Sequence, residues 1–157
     1  MNPIIVRKAK IRDKSALLHV EEKCFITDRI NARQMTYLLT KAKAITWVAV
    51  AADQVAGYGQ CLIPEQPRPA RLYSLAVLPE YRRQGIAHQL MGTLLSELIS
   101  LNYSRCRLEV RCSDHGAQTF YRSMGFSMIS TLPAYYEDGE NALRMECILR
   151  QTATFDV

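Results

Sequence analysis

The sequence predicts an α/β fold, a mixed sheet with helices on both faces. Three observations carry that prediction. Short β-branched or alternating apolar segments recur along the chain, the clearest being residues 45–51 (ITWVAVA) and 105–112 (RCRLEVRC). Between them runs a long stretch with Ile86, Leu90, Met91, Leu94, Leu95, Leu98 and Ile99 at spacings of three and four, the mark of a helix with a broad apolar stripe. The chain has 157 residues, 48% hydrophobic and 22% charged, which is enough for a real core and ordinary for a soluble domain.

In order, residues 3–9 (PIIVRKA) read as a strand with Ile4 and Val6 as its apolar members. Asp13 is a candidate N-cap for a helix over 14–25, where Leu17, Leu18, Val20, Glu21 and Phe25 follow a helical spacing. Residues 26–31 are a polar break, and Asn31 caps a second helix over 32–42. Strands 45–51 and 55–63 form a hairpin about a turn at Asp53-Gln54. Gly57 and Gly59 share a face of the second strand, which marks a close backbone approach or a bulge. Three prolines in 64–69 make a loop, and 70–78 is the next strand. The long helix runs from 85 to about 102. Strand 105–112 alternates, with Cys106, Leu108, Val110 and Cys112 on one face and Arg107, Glu109 and Arg111 on the other. Ser113 or Asp114 caps a short helix that ends near Gly125. Strands 126–136 and 141–149 follow, joined by the turn Glu137-Asp138-Gly139-Glu140. The order is β-α-α-β-β-β-α-β-α-β-β, one domain over 1–150, with 151–157 expected to fray.

The net charge is +5 and the pI about 9.0. The basic residues form no block and have no aromatic residues interleaved with them, which argues against nucleic acid and for a small polyanion at a localised site. No apolar run approaches the roughly 20 residues of a membrane span, and the N-terminus lacks a secretory pattern, so a cytoplasmic protein with no membrane partner is expected. Five cysteines without CxxC spacing are expected as reduced, mostly core thiols, and no metal-ligand constellation is seen.

The chemistry concentrates in residues 70–110. A strand there feeds the basic loop Arg82-Arg83-Gln84-Gly85-Ile86-Ala87, which opens the long helix. Free backbone N–H groups, the positive helix end and two arginines meet at one spot, an arrangement suited to phosphate. Glu109 is a carboxylate in the middle of an apolar strand. Either it pairs with Arg107 or Arg111 on its own face, or it accepts a proton. Tyr121 in FYRSMGF either packs beside Phe120 or uses its hydroxyl. Tyr135 and Tyr136 either end a strand or offer hydroxyls to a ligand. Cys112, Asp114 and His115 adjoin one another at a strand–helix junction and point different ways, which argues against a nucleophilic cysteine.

These elements resemble the GCN5-related N-acetyltransferase family, whose signature of Gln or Arg, two residues, Gly, one residue, Gly or Ala is met here by residues 82–87. The likeness covers about residues 4–149. The segments LYSLAVLPEYRRQGIA, RLEVRCSD, FYRSMGF and YYEDGENALRM are most similar to the ribosomal-protein-alanine N-acetyltransferases within it. The resemblance implies a central, mostly antiparallel sheet with about four helices, acetyl-CoA as co-substrate, no metal, and direct attack of an amine in a ternary complex. It implies that Leu75, Ala76 and Val77 pair with the pantetheine arm, the Val77 N–H serving as oxyanion donor. The loop of Arg83, Gln84, Gly85, Ile86, Ala87 and His88 would hold the pyrophosphate, and at least one of Arg82 and Arg83 would contact the cofactor. Glu109 would be the general base and Tyr121 the general acid. Asp114 stands where these enzymes usually have a cofactor-contacting asparagine. The break from Phe25 to Ile30 and the tyrosines Tyr135 and Tyr136 would wall the acceptor site. The expected acceptor is a protein or peptide N-terminus. A small amine (polyamine, amino acid or aminoglycoside) and a non-catalytic acyl-CoA sensor stay open, as does a monomer or a homodimer. An α-amine, with a pKa of roughly 7.7–8.0 against about 10.4 for lysine, needs less help to lose its proton.

Overall fold

The computed structural model describes residues 3–149. Among the described residues, seven strands and four α-helices follow the expected order. They are β1 (Ile4–Lys8), α1 (Lys14–Cys24), α2 (Ala32–Thr40), β2 (Ala44–Ala51), β3 (Gln54–Leu62), β4 (Ala70–Val77), α3 (Ile86–Ser100), β5 (Arg105–Arg111), α4 (His115–Ser123), β6 (Phe126–Leu132) and β7 (Ala142–Ile148). Neighbouring strands are hydrogen-bonded in the order β1-β2-β3-β4-β5-β7-β6. β4 and β5 run parallel, while β1–β2, β2–β3, β5–β7 and β6–β7 are antiparallel, so the sheet is mixed as expected. The expected fraying of 151–157 lies outside the described residues.

Two compact units form. The first comprises the described residues up to 63 together with 72–94, and the second residues 64–71 together with those described from 95 on. In the first unit, one core cluster joins Leu17, Val20, Met35, Val48 and Tyr58, all fully buried. A second joins Ala49, Ala56, Val77, Ile86 and Leu90. Ile86 and Leu90 thus fix the first turn of α3 beside the end of β4. In the second unit, the alternation read in β5 holds: Cys106, Leu108 and Val110 are buried.

Local chemistry sets the boundaries. Asn31 caps α2 as expected, its side chain accepting from the Gln34 N–H at 2.8 Å while Gln34 reciprocates on the Asn31 N–H at 3.0 Å. Asp114, not Ser113, caps α4, accepting from the Ala117 N–H at 3.0 Å. Asp13 precedes α1 but makes no cap bond to it. Its carboxylate turns back to accept from the Lys10 N–H at 2.7 Å and from both terminal nitrogens of Arg7 at 2.9 Å, which hold it below the usual carboxylate range. The β2–β3 turn lies at Ala52-Asp53, one residue before the expected place. Both residues have positive φ, 50° and 64°, which matches the twist of the flanking strands. β6 stops at Leu132, so Tyr135 and Tyr136 belong to the loop rather than the strand.

Of the two alternatives read at the β3 glycines, a close backbone approach is found at Gly57, and a bulge falls at the residue before it. The β2–β3 register shifts between Ala49 and Val50, leaving Ala56 as the extra residue of a bulge. A Cβ on Gly57 would stand 2.6 Å from the Ala76 carbonyl oxygen and 3.1 Å from Val77 Cα. Backbone atoms cannot rotate aside, so Gly57→Ala is expected to cost about 2 kcal/mol, read as a lower urea midpoint. Gly59→Ala would meet the flexible tips of Leu94 and Leu75 first and is expected to cost less. Equal midpoints for Gly57→Ala and wild type would contradict this reading of the β3–β4 approach.

Candidate active site

The first unit holds Phe25, Leu75 to Val77 and the basic loop. The loop enters α3 through two left-handed residues, Arg83 at φ 66° and Gly85 at φ 78°. A Cβ on Gly85 would meet nothing within 4 Å, so the glycine serves the backbone turn rather than a close approach. Arg83, Gln84, Gly85 and His88 are exposed, while Ile86 is buried and Ala87 half-buried. The N–H groups of the first turn of α3 have no partner within the helix, and the exposed Arg83 adds a cation to the loop that leads into it. This donor set fits the diphosphate of a nucleotide-like ligand.

Arg82 also ties the loop to the strand before it. Its Nε donates to the Val77 carbonyl at 2.9 Å and its Nη2 reaches Cys24 Sγ at 3.7 Å, while the Cys24 thiol donates to the same carbonyl at 3.4 Å. Burial pushes the Cys24 thiol up, so it stays a donor. The end of α1, the end of β4 and the basic loop are therefore tied at the Val77 carbonyl.

The segment after α1 is tied as firmly. Arg29 donates to the Phe25 and Glu22 carbonyls, and the Ile30 N–H donates to Glu21 Oε1 at 2.8 Å. Glu21 is 2% exposed, and its Oε2 accepts from the Tyr58 hydroxyl at 2.6 Å and the Ser74 hydroxyl at 3.0 Å. Burial and the Glu21 charge push the Tyr58 phenol up, keeping it protonated. In the sequence Glu21 shows only helical spacing with Leu17, Leu18, Val20 and Phe25, and no role. An acid among Leu17 and Val20 was the available signal.

The second unit holds Glu109, Asp114, Tyr121, Tyr135 and Tyr136. Glu109 does not pair with Arg107 or Arg111. Same-face neighbours on one strand lie about 7 Å apart, whereas directly paired residues of adjacent strands lie about 5 Å apart. Arg144 is the register partner of Glu109, and its Nε donates to Oε2 at 2.9 Å. Arg71 donates from Nε to Oε1 at 2.8 Å. The Glu109 side chain is 5% exposed. Arg71 also donates from Nη2 to the Tyr135 hydroxyl at 2.8 Å, so one guanidinium joins Glu109 to Tyr135. Arg107 goes to Glu146 instead, at 2.7 Å. Tyr121 lies in α4 with its ring edge-on to Phe120 and Phe126. Tyr135 and Tyr136 stack edge to face at 5.1 Å. Asp114 is the α4 cap described above, with Oδ1 committed to Ala117.

Among the described residues, no group of three or more His, Cys, Asp or Glu side chains is placed to hold a metal ion, and no helix is long and apolar enough to cross a membrane.

The acetyltransferase (GNAT) domain pattern matches residues 9–149. An uncharacterized N-acetyltransferase of Methanocaldococcus jannaschii is 33% identical over 90% of this chain and 90% of its own. An N-alpha-acetyltransferase of Saccharolobus solfataricus is 34% identical over 63% of this chain, and the match spans 66% of that relative's length. Among solved structures, Ard1 from Thermoplasma volcanium superposes with a TM-score of 0.85 at 26% identity, covering 94% of this chain and 99% of that one. The ribosomal-protein-S18-alanine N-acetyltransferase of Escherichia coli shares the fold, with a TM-score of 0.86 at 23% identity and 99% coverage of both chains. The chain belongs to the GNAT acetyltransferase family.

Proposed function

We propose that the protein transfers the acetyl group of acetyl-CoA to the α-amine of a protein or peptide N-terminus. The observation that carries this reading is the Arg71 bridge, which joins a buried carboxylate suited to take a proton to a tyrosine suited to bind the acceptor. Family membership supports the acetyl donor. Relatives named for N-alpha and for ribosomal-protein alanine acetylation support the acceptor.

In this reading the exposed loop around Arg83 and Gly85 and the first turn of α3 hold the diphosphate, and Leu75 to Val77 pair with the pantetheine arm. The neutral amine attacks the thioester carbonyl, so the N–C bond forms and the C–S bond breaks. The Val77 N–H stabilises the oxyanion. Glu109 takes the amine proton, directly or through water, and Tyr121 gives its phenolic proton to the thiolate. Each Glu109 oxygen accepts one guanidinium hydrogen bond, which leaves a further lone pair on each for that proton. Arg82 holds the Val77 carbonyl and acts as a positioning residue for this strand end.

The test is acetyl-CoA turnover, read as free thiol, against peptides with free N-termini, polyamines and aminoglycosides. Turnover is expected with peptides, at a kcat/KM at least about tenfold above the small amines. A preference for a polyamine or aminoglycoside would replace the acceptor assignment. Absence of turnover with every amine, together with intact acetyl-CoA binding, would leave a sensor.

A further inference from the structure

The loop between β6 and β7 carries Glu137, Asp138 and Glu140 next to Tyr135 and Tyr136. Such a turn looks like an attractor for polycations. The last residue of β5 changes that. Arg111 donates from Nη1 to Asp138 Oδ2 at 2.8 Å and to Glu140 Oε1 at 2.9 Å. Its guanidinium carbon also lies 4.1 Å from the centroid of the Tyr136 ring, a cation–π contact. The remaining oxygens of the two acids are occupied too. Glu140 Oε2 accepts from the Ser113 N–H at 2.9 Å, and Asp138 Oδ1 accepts from the Glu140 N–H at 3.0 Å. Hydrogen bonds from Ser113 and Arg111 hold the Glu140 carboxyl down at about 2, so it is charged at any working pH.

One side chain thus grips the acidic turn and the face of Tyr136, whose ring in turn meets Tyr135 edge to face. We propose that Arg111 is the specificity-determining latch of this loop. As a positioning residue it sets the two tyrosines for a peptide and takes up two carboxylates that would otherwise draw a polycation to the same place. The proposal rests on the reading of Tyr135 and Tyr136 as acceptor-binding residues. It adds the reason the acidic turn beside them does not make a polyamine site.

Arg111→Met is the direct test, with peptide and spermidine as acceptors. The peptide KM is expected to rise about tenfold or more, with kcat and the acetyl-CoA KM within about twofold. The spermidine-to-peptide ratio of kcat/KM is expected to rise about tenfold as the two carboxylates are released. Arg111→Lys, which keeps the charge but loses the planar fork, is expected to recover part of the peptide KM. Amide exchange of residues 134–140 is expected to speed up in Arg111→Met without any acceptor present. Where Arg111→Met does not fold, Asp138→Asn with Glu140→Gln frees the latch from the other side. That pair is expected to raise the peptide KM without the gain on spermidine. Unchanged peptide KM and unchanged loop exchange would overturn the proposal, as would a loss confined to kcat. Wild-type protein that acetylates no peptide would sink the acceptor reading instead, and the exchange measurement would still decide whether Arg111 holds the loop.

Discussion

Glu21→Ala is expected to destabilise the protein by about 3 kcal/mol, a fall in melting temperature of roughly 10 °C. The substitution removes the common acceptor of three donors, the Tyr58 and Ser74 hydroxyls and the Ile30 N–H. Tyr58 is fully buried and Ser74 and Ile30 nearly so, so water does not replace the lost partner. An orphaned buried donor costs about 1–3 kcal/mol, and relief from burying the carboxylate offsets part of the total. Glu21→Gln should cost less, about 1 kcal/mol, because one amide oxygen remains and the two hydroxyls can turn to accept from the amide nitrogen. The loss reaches function through Ile30, since that N–H closes the segment from Phe25 that the acceptor reading requires. Urea titrations decide the matter: a Glu21→Ala stability within about 0.5 kcal/mol of wild type would contradict the account of this network.

Glu109→Gln is expected to lower kcat on a peptide acceptor by about 100-fold at pH 7, with the acetyl-CoA KM within about twofold. A structural role and a chemical role predict different results here. The arginine partners of Glu109 are 41% and 33% exposed at their side chains, so water can solvate the guanidinium that loses its carboxylate oxygen. The amide keeps one oxygen for a guanidinium, so the folded state should survive. A large fall in kcat with a small fall in melting temperature marks a chemical role. Both enzymes should gain turnover as pH rises through about 8, where the free α-amine becomes neutral, while the deficit between them persists. Turnover within about threefold of wild type would return Glu109 to a purely structural ion pair and would move the proton-accepting role elsewhere.

Local chemistry was legible in the sequence, and long-range pairing was not. The Asn31 cap, the glycine loop opening α3 and the alternation of β5 each depend on neighbours within a turn or a strand, and each stands as read. The β2–β3 turn was misplaced by one residue because Ala52 carries no sign of the left-handed backbone it adopts. Glu109 was recognised as a carboxylate that needs a reason, but its partners come from register. Arg144 lies 35 residues ahead and Arg71 38 residues behind. The same holds for Glu21, whose partners Tyr58 and Ser74 lie 37 and 53 residues away. The acidic turn shows the cost of reading charge locally. Three acids in four residues keep a cation site open on sequence alone, whereas Arg111, 27 residues before Asp138, lies against two of them.

The central claim is that the acceptor is an α-amine. The most direct measurement uses a peptide carrying both a free N-terminus and one lysine side chain, incubated with acetyl-CoA and sequenced by fragmentation mass spectrometry. The account predicts acetyl on the N-terminal nitrogen alone, and no thiol release from the same peptide with its N-terminus blocked. Acetyl on the lysine nitrogen, or undiminished turnover of the blocked peptide, would contradict it.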